Sequence, residues 1–138
     1  MGPSNHVVCV EQVSWRRSGR TILHDISWNV KEGEHWALIG LNGSGKTSLL
    51  NLITGYEWPS TGQIDLLGHR LGRVELKPLR QQIGWVSAAL AERYRHQDQL
   101  SAREVVLSGK FGSIGLWDQA TPVDLDQAEH LLTQFHVG

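Results

Sequence analysis

The chain has 138 residues, 40% of them hydrophobic and 20% charged, with a formal net charge of −1. That is the composition of an ordinary globular domain with a buried core, and near-neutrality removes any bulk electrostatic pull toward nucleic acid or an anionic membrane. A single cysteine, Cys9, excludes a disulfide framework and fits a reducing, cytoplasmic setting; no apolar run has the length of a membrane span or follows the plan of a signal peptide.

HVVCVEQVSW (residues 6–15) shows rough period-two alternation and ends at the turn-like RRSGR, which predicts a first strand. Within it Cys9 reads as a small buried hydrophobe. Ile26, Trp28 and Val30 alternate with Ser27 and Asn29, predicting a second strand, and KEGE (31–34) makes a tight turn around Gly33. WALIG (36–40) is an apolar run bounded by turn signals, the pattern of a strand covered on both faces in a parallel sheet. From Thr47 onward Leu49, Leu50 and Ile53 predict one face of a helix, with Gly55 at its C-terminal stop.

YEWPSTGQ (56–63) reads as a turn, QIDLLG (63–68) as a short strand, HRLGRVELKPLRQQ (69–82) as irregular or partly helical, and IGWV (83–86) as a second buried strand. Past Val86 the pattern becomes helical. Ser101 and Glu104 make a capping box, and Thr121, Pro122 and Asp124 open a helix whose Leu125, Ala128, Leu132 and Phe135 share one face. The expected division is therefore a strand–helix half, 1–87, and a helical half, 88–138. At least four of the six tryptophans are expected in core or edge packing.

The stretch Gly40-Leu41-Asn42-Gly43-Ser44-Gly45-Lys46-Thr47 has the spacing G-x-x-x-x-G-K-[ST]. Glycines let consecutive N–H groups turn inward and let phosphate oxygens approach without a Cβ in the way. The N–H groups at the start of the following helix, through Ser48, add partial positive charge at the same point. Lys46 brings a full charge to the β/γ-phosphates, and the Thr47 hydroxyl is a ligand for Mg²⁺. The competing reading is a glycine-rich turn that binds nothing. An apolar run before the loop and a helical pattern after it favour phosphate binding.

Around the loop the sequence resembles the opening of an ATP-binding cassette (ABC) domain. The matches run in order: Leu23, Ile26-Ser27, Gly33-Glu34, the loop, Leu49-Leu50, Ile53, Gly55, then Pro59-Ser60-Thr61-Gly62-Gln63-Ile64. GEHWALIG, LITG and VVLSGKFGSIGLW are similar to a soluble subgroup that includes molybdate-transport-associated ATP-binding proteins. The resemblance implies an α/β fold: a P-loop NTPase core with an N-terminal antiparallel β subdomain and the start of a helical subdomain, ending before Walker B. It implies ATP and Mg²⁺ as cofactors, Lys46 as the catalytic cation, and ATP hydrolysis completed in a longer protein. That protein would be the nucleotide-binding component of an ABC transporter or a soluble ABC ATPase. Partners implied are a second cassette docked head-to-tail and a membrane permease, in the cytoplasm or at the inner face of the membrane.

Some positions depart from the family pattern. Where the family stacks adenine on an aromatic, this chain has Arg17, with Trp15 two residues earlier on the same face; either plane can stack on a base. Ala88 stands where the family carries a glutamine that senses Mg²⁺ and water, with Ser87 beside it. The signature sequence, the Walker B carboxylates and the switch histidine would all follow Gly138, and LSGK (107–110) reads as a helix end.

Elsewhere the signals are weaker. The seven histidines lack metal-ligand spacing. Arg16, Arg17 and Arg20, then His69, Arg70 and Arg73, then Arg93, Arg95 and His96 form basic clusters interleaved with acids, so no nucleic-acid partner is expected. DLLG (65–68) follows Lys46 too closely to be a GTPase motif. The alternatives to an ABC ATPase are a catalytically inert ATP-binding fragment and another P-loop phosphotransferase.

Overall fold

The structure is a computed structural model that describes residues 6–88, 92, 94–95, 99–113, 115 and 118–137. Within the basic cluster at 93–96 only Arg95 is described; Arg93 and His96, like Trp117, lie outside these residues. The chain forms two compact units, Met1–Leu76 and Lys77–Gly138.

In the first unit β1 (His6–Arg17) and β2 (Arg20–Lys31) make an antiparallel hairpin. It closes at Ser18 and Gly19, whose φ angles of 49° and 77° suit a two-residue turn that follows the strand twist. β1 also pairs antiparallel with β3 (Thr61–Leu66), and β3 with the short β4 (His69–Arg70), giving the order β2-β1-β3-β4. Strict alternation would put Val10 and Trp15 on opposite faces. Gln12, at φ 49°, lies where the register shifts and resets the phase, so Val10, Val13 and Trp15 are all buried. Asp25, at φ 48°, does the same for Leu23 in β2. Each bulge places its freed N–H on a serine of the other strand: Gln12 donates to Ser27 Oγ at 3.0 Å and Asp25 to Ser14 Oγ at 2.9 Å.

This phasing corrects the expectation for Cys9. It neighbours inward-facing Val10, so it sits half-buried on the opposite face, its thiol 3.7 Å from Glu11 Oε1. Partial burial, then the Glu11 charge, push the thiol pKa up. Among the described tryptophans, Trp15 is buried, Trp28 and Trp36 meet edge to face with ring centroids 5.6 Å apart, and Trp36 and Trp58 are exposed.

Helix α1 (Lys46–Ile53) buries Leu49, Leu52 and Ile53 alongside Ile64 and Leu66 of β3. The expected Leu50 is exposed, because the i, i+3, i+4 set that meets the sheet starts at Leu49 and skips it. Gly55 ends the helix with φ 72°; its N–H donates to Leu52 O and that of Tyr56 to Asn51 O, a Schellman pair.

Two expected strands do not form. Residues 34–40 carry no strand, and Trp36, Leu38 and Ile39 are 58%, 42% and 90% exposed. IGWV likewise lies outside any strand, with Val86 fully exposed. An apolar run becomes a doubly covered strand only when ladders form on both sides. Among the described residues the only sheet is the antiparallel one, and it pairs with neither segment.

α2 (Leu76–Arg80) runs across the boundary between the units. In the second unit α3 (Ala102–Lys110) and α4 (Pro122–Gln134) each begin with a capping box, Ser101 with Glu104 and Thr121 with Asp124. LSGK forms the last turn of α3, as expected of a helix end. Lys110 ion-pairs with the buried Asp124, and Arg103 with Glu129, joining the two helices. The face α4 buries differs from the expected one: Asp124 and Ala128 are inside, whereas Leu125 and Phe135 are exposed, because the Lys110–Asp124 pair turns Asp124 toward α3.

Candidate functional site

The glycine loop runs straight into α1. Its N-cap is Gly45 at φ 91° and ψ 6°, and no side chain caps the first turn. The N–H groups at the head of the helix are thus left to an external acceptor. Gly43, at φ 82°, is the other position in the loop that needs left-handed backbone. Behind the loop, Ser44 N–H donates to Leu41 O at 3.2 Å and closes a turn. Lys46 Nζ donates to Gly40 O at 2.7 Å and Leu41 O at 2.8 Å, so the ammonium is held against the loop.

A cavity of about 420 Å³ opens here, lined by Trp15, Arg17, Ile22 and by Asn42, Gly43, Gly45, Lys46, Thr47 and Ser48 of the loop and helix start. Of the residues singled out in the sequence, Gly40, Leu41 and Ser44 are not on its wall; they form the backing that holds Lys46 and the turn. Ile22 is the wall residue that the sequence did not single out. It arrives because β2 crosses the loop, its carbonyl oxygen close to where a Gly45 Cβ would lie.

The structure separates Trp15 from Arg17. Trp15 is 7% exposed and belongs to the core, while the Arg17 side chain is 69% exposed and carries its guanidinium over the indole, 6.0 Å from the ring centroid. Ser87, in the second unit, accepts a hydrogen bond from the Trp85 indole at 2.9 Å, and Ala88 is exposed.

A larger cleft, about 570 Å³, lies on the outer face of the sheet beside Cys9, Glu11, Asp65, Arg70 and Arg73. Its charges answer one another: Arg70 donates to both Asp65 oxygens at 2.9 Å, which holds that carboxyl below its usual range. Asp65, the acid of DLLG, is therefore engaged away from the loop. The smaller cavity brings the glycine loop, the uncapped helix start and Lys46 beside Trp15 and Arg17.

A G-x-x-x-x-G-K-T loop that opens into a helix is the hallmark of the P-loop NTPase fold class, whose ATP-binding cassettes the chain matches in structure. The ABC transporter family profile matches residues 23–137, and the chain belongs to that family. It is 44% identical over 127 residues to the uncharacterized ABC transporter ATP-binding protein YlmA of Bacillus subtilis, covering 91% of this chain and 47% of the relative. It is 37% identical to the ABC transporter ATP-binding protein ModF of Escherichia coli over 84% of this chain and 23% of that one. The ATP-binding cassette MJ0796, solved as a dimer with ADP and Pi, superposes with a TM-score of 0.71 at 23% identity, covering 94% of this chain and 57% of that one. The chain spans about half the length of the curated relatives YlmA and YmeB, at 47% and 49%.

Proposed function

We propose that the first unit binds Mg-ATP through the loop cavity. The observation that supports this reading is that an uncapped helix start, two left-handed glycines and Lys46, whose ammonium is held on the loop carbonyls behind, share one cavity. Lys46 meets the β/γ-phosphates, the amides from Asn42 to Ser48 take the phosphate oxygens, and the Thr47 hydroxyl holds Mg²⁺. The donor set fits both groups, since the wall offers N–H donors and two cations, Lys46 and Arg17, to the anion and exposed hydroxyl oxygen to the metal. Bound Mg²⁺ supplies neutralisation of the charge that builds on the phosphates. Arg17 is the platform for the base, with Trp15 packed behind it.

Hydrolysis belongs to a longer protein. Among the described residues no carboxylate lines the cavity, so the chain by itself holds ATP without activating water. In that longer protein the cassette would work as the nucleotide-binding component of an ABC transporter or soluble ABC ATPase, with Lys46 in a catalytic role. It would pair with a second cassette head-to-tail and dock on a permease from the cytoplasmic side, with residues 1–87 as core and β subdomain and 88–138 opening the helical subdomain.

Lys46→Ala tests the site. Retention of Mg-ATP in equilibrium dialysis should be lost, and unchanged affinity would defeat the assignment. A steady-state phosphate-release assay on residues 1–138 should show no turnover; release above background would defeat the binding-only reading of the chain.

A further inference from the structure

Arg17 is a mobile platform unless something holds it, because a long side chain so exposed samples many rotamers. It also shares its cavity with Lys46 and the loop amides. A free guanidinium there would be drawn to the phosphates, which bind it more strongly than a base does.

Besides the Trp15 ring under it, a carboxylate opposes that pull. Glu57 Oε1 lies 3.8 Å from Arg17 Nη1. The carboxylate approaches Nη1, while the guanidinium carbon stands over the Trp15 ring at 6.0 Å. Glu57 is itself well fixed. Its N–H donates to Asn51 O at 3.2 Å, in the cap that ends α1. Three residues on, Ser60 ties the same segment to β1 on either side of Trp15: its N–H donates to Ser14 O at 2.9 Å and its Oγ accepts from Arg16 N–H at 3.0 Å. The segment that carries Glu57 is thus tied both to the end of α1 and to the strand that carries Arg17.

We propose that Glu57 is a positioning residue that reserves the Arg17 guanidinium for the nucleobase and keeps it off the phosphates. This rests on reading the loop cavity as a nucleotide site. Glu57 acts through Arg17 and touches no ligand. Its signature is a change in the preference for ATP over a bare triphosphate chain, not in the fold.

The test is calorimetric titration of the full chain with Mg-ATP and with Mg-tripolyphosphate. In Glu57→Gln the ratio of the two affinities should fall about threefold, the size an exposed ion pair produces. In an Arg17→Ala background the Glu57→Gln change should leave the ratio untouched. An unaltered ratio in Glu57→Gln, or an equal fall with and without the Arg17 guanidinium, overturns the proposal. Equal affinity of the unmutated chain for both ligands, with both lost in Lys46→Ala, overturns the base platform while sparing the phosphate site. If neither ligand binds, the phosphate site fails and this inference fails with it.

Discussion

Alanine at Gly45 and at Gly43 should separate two costs that are usually confounded. Gly45 sits at φ +91°, where a side chain costs roughly 1–2 kcal/mol in backbone strain. A Cβ there would lie 2.8 Å from Leu23 Cδ2 and 3.3 Å from Ile22 O. Leu23 is 7% exposed, so its methyl has little room to withdraw. Overpacking of that kind adds about 1–3 kcal/mol. Gly43 is at φ +82° with nothing within 4 Å of its Cβ position, so only the strain applies. Gly45→Ala should therefore cost about 2–5 kcal/mol and Gly43→Ala about 1–2 kcal/mol. Urea unfolding followed by tryptophan fluorescence reads the difference: with a slope of about 2 kcal/mol per molar, the midpoints should differ by roughly 0.5–1.5 M. Mg-ATP affinity should fall in both variants, since both glycines line the cavity. Equal midpoints, or a less stable Gly43→Ala, would show that the loop does not rest on Leu23 as described.

The second unit should show a pH signature at Asp124. The Lys110 ammonium foremost, then the Thr121 N–H and hydroxyl, lower its carboxyl to about 2. A depressed folded-state pKa stabilises the fold above the unfolded value of about 3.9, and that contribution disappears as the pH drops through about 2. Asp124→Asn should flatten the fall in urea midpoint between pH 4 and pH 2; parallel curves for variant and parent would contradict this. Apolar residues 36–41 should drive self-association, since Ile39 and Leu41 are 90% and 85% exposed. Sedimentation velocity should show concentration-dependent oligomers that Ile39→Lys suppresses, and a monomer that melts sharply without the substitution would count against the idea.

What could be read in the sequence was chemistry confined to a few neighbouring residues. The loop at 40–47, the capping boxes at Ser101 and Thr121, and Gly55 as a helix stop each depend on contacts within one turn, and each stands where expected. Periodicity did less well where a distant group reset it. The bulges at Gln12 and Asp25 rely on serines of the opposite strand, so the outward turn of Cys9 is not visible in β1 alone. Leu50 and Leu125 have the composition of core residues, but which side of a helix is buried depends on what packs against it.

The sequence by itself determined the glycine turns at 43 and 45 and the helix start after them, because glycines at that spacing supply the left-handed backbone the loop needs. Only the tertiary structure decided that WALIG stays unpaired, since a ladder exists between two strands and not within one. It also decided that Trp15 is core while Arg17 faces the cavity, and that Ile22 and Glu57 arrive beside the loop and Arg17 respectively. The physical reason is the same in each case: burial and cross-chain pairing are set by surfaces that folding brings together from far apart along the chain.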